Sequence, residues 1–110
     1  MELTALTDAS GCTTLVVSGE VDMEGSEKLR RTGVTATQTH KGQSLKIDLS
    51  AVTFLDSTGL GALIDLRNAT HDQSVPLELI DPSGPVLRLL ALTRLTDIFS
   101  INDATDPPNR

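Results

Sequence analysis

An apolar run gives way to hydroxyl and carboxylate side chains in Val52-Thr53-Phe54-Leu55-Asp56-Ser57-Thr58-Gly59-Leu60-Gly61-Ala62-Leu63. Beyond it Leu60, Leu63, Ile64 and Leu66 recur at helical spacing, so the Asp-Ser-Thr cluster falls at a helix N-terminus. At that place Asp56 or Ser57 can accept from backbone N–H groups that have no partner within the helix. Gly59 and Gly61 would lie in the first turn, where each costs about 1 kcal/mol relative to alanine. Two readings offset that cost. The helix packs closely on its own sheet there, or the glycines leave a surface free of side chains that another backbone or a phosphate can approach.

Spacing excludes several chemistries. A nucleotide-binding phosphate loop needs Gly-Lys-Ser/Thr at the helix start, and no lysine follows Lys46. A hydrolase elbow of the Gly-x-Ser-x-Gly kind would require glycine at position 55, where Leu55 stands, and Ser57 has no plausible base in the pattern. His40 and His71 fall at presumed helix ends, where cap and dipole roles account for them. No paired-carboxylate or metal-ligand constellation is present, and no cofactor is implied. Cys12 stands alone, which rules out an internal disulfide and a thiolate metal cage; it reads as a small buried hydrophobe on a strand.

The elements that must position the cluster follow from the hydropathy pattern. Residues 2–7 alternate roughly with period two, Asp8-Ala9-Ser10-Gly11 supplies a turn, and Cys12–Gly19 is rich in β-branched residues, which together predict a hairpin. Asp22 to Lys41 is weakly helical, with Leu29, Gly33 and Ala36 on one face and Gly42 at the C-terminal cap, although threonines at 32, 35, 37 and 39 make it a poor helix former. Leu45–Leu49 alternates as a strand ahead of the cluster, and Leu77–Ile80 forms the next strand. A helix opens at Pro85 with Val86, Leu89, Leu90 and Thr93 inward, and a last strand spans Ile98–Ile101. This order predicts a single α/β domain over residues 1–101, with a mixed, mostly parallel sheet and an initial hairpin, followed by a flexible tail over residues 102–110.

Composition fits one core and narrows the partners. The chain has 110 residues, and Leu, Ile, Val and Phe supply 31 of them, above the roughly 20% below which chains tend to stay unfolded. With two Phe and no Tyr or Trp, aromatic stacking platforms for bases or sugars are absent. Residues 1–27 carry six acids and no Lys or Arg, while the remainder is balanced, so the whole net charge of −6 sits at the front. The basic footprint of a nucleic-acid binder is missing, and the longest apolar stretches are too short for a membrane span or signal peptide. The expectation is a cytoplasmic chain with neither nucleic acid nor membrane as direct partner.

Leu45–Leu63, ending in Phe-Leu-Asp-Ser-Thr-Gly-Leu-Gly, resembles the signature of the STAS domain family, the sulphate-transporter and anti-sigma-factor-antagonist domains. Gly19-Glu20-Val21-Asp22 matches that family's loop after the second strand, and the order of elements matches over nearly the whole chain. The resemblance implies a bacterial anti-sigma factor antagonist that switches partners and has no catalysis of its own. Unphosphorylated, such a protein binds an anti-sigma factor that is also a serine kinase and frees the sigma factor for transcription; phosphorylation of the serine after the motif's aspartate, here Ser57, switches binding off. Asp22 and Asp56 are the acids this family places beside that serine. The implied partner surface comprises Asp22, Asp56, Ser57, Thr58, Gly59, Leu60 and Gly61. Thr58 replaces a frequent second serine. A STAS subunit or domain of a membrane transporter, using the same helix as a docking face, is the alternative. The sequence leaves open a monomer or a weak dimer, and a redox role for Cys12.

Overall fold

The Asp8–Gly11 segment turns because the Asp8 carboxylate accepts from the Ser10 and Cys12 backbone N–H groups at 2.9 and 3.0 Å and from the Ser10 hydroxyl at 2.6 Å. In the computed structural model, which describes residues 1–39 and 43–102, this turn joins β1 (Glu2–Thr7) to β2 (Thr13–Val21) in the expected hairpin. There follow α1 (Met23–Thr39), β3 (Leu45–Leu55), α2 (Ser57–Asp72), β4 (Leu77–Ile80) and α3 (Gly84–Leu92). A 3-10 turn at Thr96–Ile98 leads into β5 (Ser100–Asn102). The sheet has the order β1-β2-β3-β4-β5, with β1 antiparallel to β2 and all other pairs parallel, as an α/β domain with helical crossovers requires.

Alternation along the strands decides what is buried. Leu15, Val17, Leu45, Ile47, Leu49 and Leu79 point into the core, while Thr14, Val16, Lys46 and Asp48 on the opposite face are only half-buried. Leu29 of α1, Leu63 and Leu66 of α2, and Val86 and Leu90 of α3 complete the same aliphatic cluster. The threonine-rich α1 persists to Thr39 because packing outweighs propensity. Gly33 lies against α2 so closely that a Cβ there would stand 2.5 Å from Leu66 Cδ2, and buried Thr37 donates its hydroxyl to the Val34 carbonyl at 2.8 Å. The proposed C-terminal features of this helix, His40, Lys41 and Gly42, lie outside the described residues.

Four boundaries differ from the sequence reading. β3 runs eleven residues, past Leu49 to Leu55. Its pairing with β2 shifts register between Val16 and Ser18 and again between Gly19 and Glu20, which breaks the period-two pattern that would have revealed the extension. The same long partner keeps Gly19-Glu20-Val21 inside β2 where a loop was expected; Gly19, at φ 84°, takes the irregularity. Cys12 precedes β2 and is half-buried, not a buried strand residue: its carbonyl accepts from the Asp8 N–H within the turn, and Thr13 fills the first core position instead. The last strand begins at Ser100, after the 3-10 turn has taken Ile98, and includes Asn102; residues 103–110 of the expected tail lie outside the described residues. Among the described residues, no helix is long and apolar enough to cross a membrane.

Candidate functional site

Val21 and Leu55 are register partners at the ends of the adjacent parallel strands β2 and β3, so the residues that follow them leave the sheet side by side. Each is an aspartate, and each starts a helix. Asp56 caps α2: its Oδ1 accepts from the N–H groups of Thr58 and Gly59, both at 3.0 Å, and from the Thr58 hydroxyl at 2.5 Å. Asp22 serves α1 in the same way, with Oδ1 accepting from the Gly25 N–H at 2.9 Å and its carbonyl accepting from the Ser26 N–H at 2.8 Å and the Ser26 hydroxyl at 2.6 Å. Ser26 Oγ lies 3.2 Å from Thr58 Oγ1, which joins the two helix starts.

The three hydroxyl groups here have different fates. Those of Ser26 and Thr58 are engaged. Ser57, at the first position of α2, is exposed, and its hydroxyl has no hydrogen-bond partner among the described residues. Asp56, not Ser57, is therefore the cap, and it already occupies two N–H groups that would otherwise be open to an anion at this helix end.

The two glycines divide between the two readings. A Cβ on Gly59 would meet Leu55 Cδ1 at 2.5 Å and Cγ at 2.9 Å, with Val21 Cγ1 at 3.2 Å, so Gly59 lets α2 sit down on the strand ends. A Cβ on Gly61 would have no atom within 4 Å. Leu60, at 7% exposure, belongs to the core. Of the seven residues assigned to the partner surface, Asp22, Asp56, Ser57, Thr58 and Gly61 are thus at least partly accessible, and Gly59 and Leu60 lie behind them.

Gly61 opens on a groove of about 350 Å³ between the helices, lined by Met23, Ser26, Glu27 and Arg30 from α1 and by Thr58, Gly61, Ala62 and Asp65 from α2. Glu27 and Arg30 form a salt bridge at its edge. Two apolar side chains stand out in water at this end of the molecule, Met23 at 72% exposure and Phe54 at 51%, the latter beside Glu20 in the β2–β3 register. Sequence reasoning missed Ser26, Met23 and Phe54. The signal for Ser26 was its place four residues after a capping aspartate; Phe54 had been absorbed into an apolar run whose parity the register shifts conceal. His71 sits in the last turn of α2, at the opposite end of that helix from Ser57.

The Thr58 hydroxyl, and after it the Gly59 N–H, hold the Asp56 carboxyl below the ordinary aspartate range. A carboxyl depressed in the folded state stabilises the fold above its unfolded pKa and ceases to do so as pH falls through its folded value. Below about pH 4, then, the melting temperature should drop, and Asp56→Asn, which retains a capping oxygen, should show a shallower acid limb in a series of thermal melts. Equal acid limbs would show that Asp56 contributes nothing to this dependence.

Comparison with known proteins adds the following. The family model described as Mlab, STAS domain, matches residues 4–101. The chain is 30% identical over 95 residues to the anti-sigma-B factor antagonist of Listeria monocytogenes, covering 86% of this chain and 82% of that protein. Among solved structures, an anti-sigma factor antagonist from Mycobacterium paratuberculosis is 30% identical with a TM-score of 0.77, over 96% of this chain and 89% of the other. The Bacillus cell-fate determinant SpoIIAA in its phosphorylated form superposes with a TM-score of 0.74 at 16% identity, over 94% and 93% of the two chains, a likeness of fold.

Proposed function

The chain belongs to the STAS domain family, and from that premise we propose that it is an anti-sigma factor antagonist, a regulatory binding protein switched by phosphorylation of Ser57. Unphosphorylated, it binds an anti-sigma factor with serine kinase activity and so frees a sigma factor; phosphorylated, it lets the anti-sigma factor go. The observation that carries this reading is the contrast at the start of α2, where the Ser57 hydroxyl is exposed and unbonded while that of Thr58 is bonded to Asp56 and backed by Ser26. The names borne by the relatives support the class of partner.

Electrostatics explains why such a modification would break a complex. A phosphate adds about −1.5 to −2 charge at pH 7. The helix dipole favours an anion at this end, so the fold should tolerate the group. The Asp56 carboxylate already takes the N–H groups of Thr58 and Gly59, however, which leaves the added charge on an exposed residue next to that carboxylate. A partner seated over Gly61 and Met23 would have to bury that charge. Release follows without unfolding.

Incubation of the chain with the anti-sigma kinase and ATP, followed by peptide mass spectrometry and a binding measurement, tests the proposal. One phosphate on Ser57 and loss of the complex are expected. A stoichiometrically phosphorylated chain that still binds with unchanged affinity would overturn the switch. The exposed Glu20, Asp22 and Glu24 should also speed association with a basic partner face. Because such fields are screened beyond about 8 Å at physiological salt, the association rate constant should fall roughly tenfold between low salt and 0.5 M. A rate indifferent to salt assigns these acids to solubility alone.

A further inference from the structure

A chain of four oxygens crosses from α1 to α2: the Asp22 carbonyl, Ser26 Oγ, Thr58 Oγ1 and the Asp56 carboxylate, at successive spacings of 2.6, 3.2 and 2.5 Å. A hydroxyl carries one proton. Neither end of the chain supplies another, since one is a carbonyl and the other a carboxylate held ionised by its donors. Two protons therefore serve three contacts. The short outer contacts take them, Ser26 donating to Asp22 and Thr58 donating to Asp56, and the longer middle contact brings two oxygens together with no proton between them. Ser26, in the middle of the chain, is only 5% exposed. If either hydroxyl turned inward to fill the middle contact, the acceptor it left, Asp56 or the Asp22 carbonyl, would be one donor short.

We propose that Ser26 is a positioning residue that couples Ser57 to Asp22 at the junction of β2 and α1, so that charge placed on Ser57 is felt at the start of α1. The inference rests on the reading of Ser57 as the modified residue. Charge added at Ser57, the residue next to Asp56, acts on the carboxylate to which the Thr58 hydroxyl donates. Any turn of the Thr58 hydroxyl changes what Ser26 meets 3.2 Å away, and Ser26 passes that change to the carbonyl of the residue whose carboxylate caps Gly25. The two halves of the partner surface then respond as one, although no hydrogen bond joins Asp22 to Ser57 among the described residues. Each half comes from a different strand–helix junction, and the Ser26–Thr58 contact is where their hydroxyls meet.

Amide proton–nitrogen NMR spectra of the full chain test this without kinase or partner. Ser57→Asp is compared with wild type, and the same pair is compared in a Ser26→Ala background. In the first comparison the amides of Gly25 and Ser26 should shift along with those of Thr58 and Gly59. In the second the Gly25 shift should fall to half or less while the Thr58 and Gly59 shifts persist. A Gly25 shift of equal size in both backgrounds would mean that the charge acts through space, and no Gly25 shift in either would mean that the helix starts are uncoupled; each overturns the proposal. Should Ser26→Ala fail to fold, Thr58→Val removes the other hydroxyl at nearly constant volume and is read at Gly25 in the same way. A wild-type chain that the kinase leaves unmodified would refute the phosphorylation reading while these spectra still decide the coupling.

Discussion

Gly61→Arg is expected to leave the domain folded and to weaken its complex with the anti-sigma factor by roughly a hundredfold or more, as an introduced steric and charged obstacle does at a docking surface. The space around Gly61 is open: an added Cβ meets no atom within 4 Å, and a longer side chain can run out along the groove toward solvent. Glycine is also the poorer helix former by about 1 kcal/mol, so the melting temperature should hold or rise. Gly59→Ala provides the opposite case. Its Cβ would press into Leu55 and Val21 at 2.5 to 3.2 Å, and overpacking of this kind costs about 1–3 kcal/mol, enough to offset the gain in helix propensity. Thermal melts and titration calorimetry on the two variants separate the roles. If Gly61→Arg binds like wild type, the face over the α1–α2 groove is not the docking surface; if it unfolds, that glycine serves internal packing.

The contrast between these glycines shows where sequence reading stops. Both stand within the first five residues of α2, and nothing in Thr-Gly-Leu-Gly distinguishes them; the difference is made by Leu55 and Val21, whose side chains come together only through the β2–β3 register. The elements themselves were legible, because a core-facing strand such as Leu45–Leu49 alternates and a helix such as α2 repeats its leucines at helical spacing. A cap at Asp56 or Ser57 was legible as well, since that role needs only local chemistry, and the structure assigns it to Asp56. What the one-dimensional pattern conceals is whatever depends on two segments at once. The register shifts near Gly19 hid the far half of β3 and the exposure of Phe54. Gly33 supports a threonine-rich helix only because Leu66 lies against it. Ser26 is an unremarked serine until Thr58 is beside it.

Ser57→Ala, Ser57→Asp and Thr58→Val should fall into three distinct classes of behaviour. Had Ser57 been the cap of α2, Ser57→Ala would lose about 1 kcal/mol of stability and affect binding only through the fold. Asp56 holds that role, and the Ser57 hydroxyl has no bond to lose, so Ser57→Ala should melt within a degree or so of wild type, bind the anti-sigma factor fully and accept no phosphate. Ser57→Asp adds a single negative charge where phosphate would add nearly two, and should weaken binding by roughly tenfold or more without unfolding. Thr58→Val removes the donor that Asp56 receives at 2.5 Å, so it should melt a few degrees lower, yet it leaves Ser57 in place and should be phosphorylated on that residue. The asymmetry follows from direction as much as from bonding: adjacent helical residues point about 100° apart, and here one faces solvent while the other faces Ser26. Phosphate located by peptide mass spectrometry after incubation of each variant with the kinase and ATP decides between them. Modification of the Ser57→Ala chain at wild-type yield would transfer the switch to another hydroxyl, and the exposure of Ser57 would then have no bearing on it.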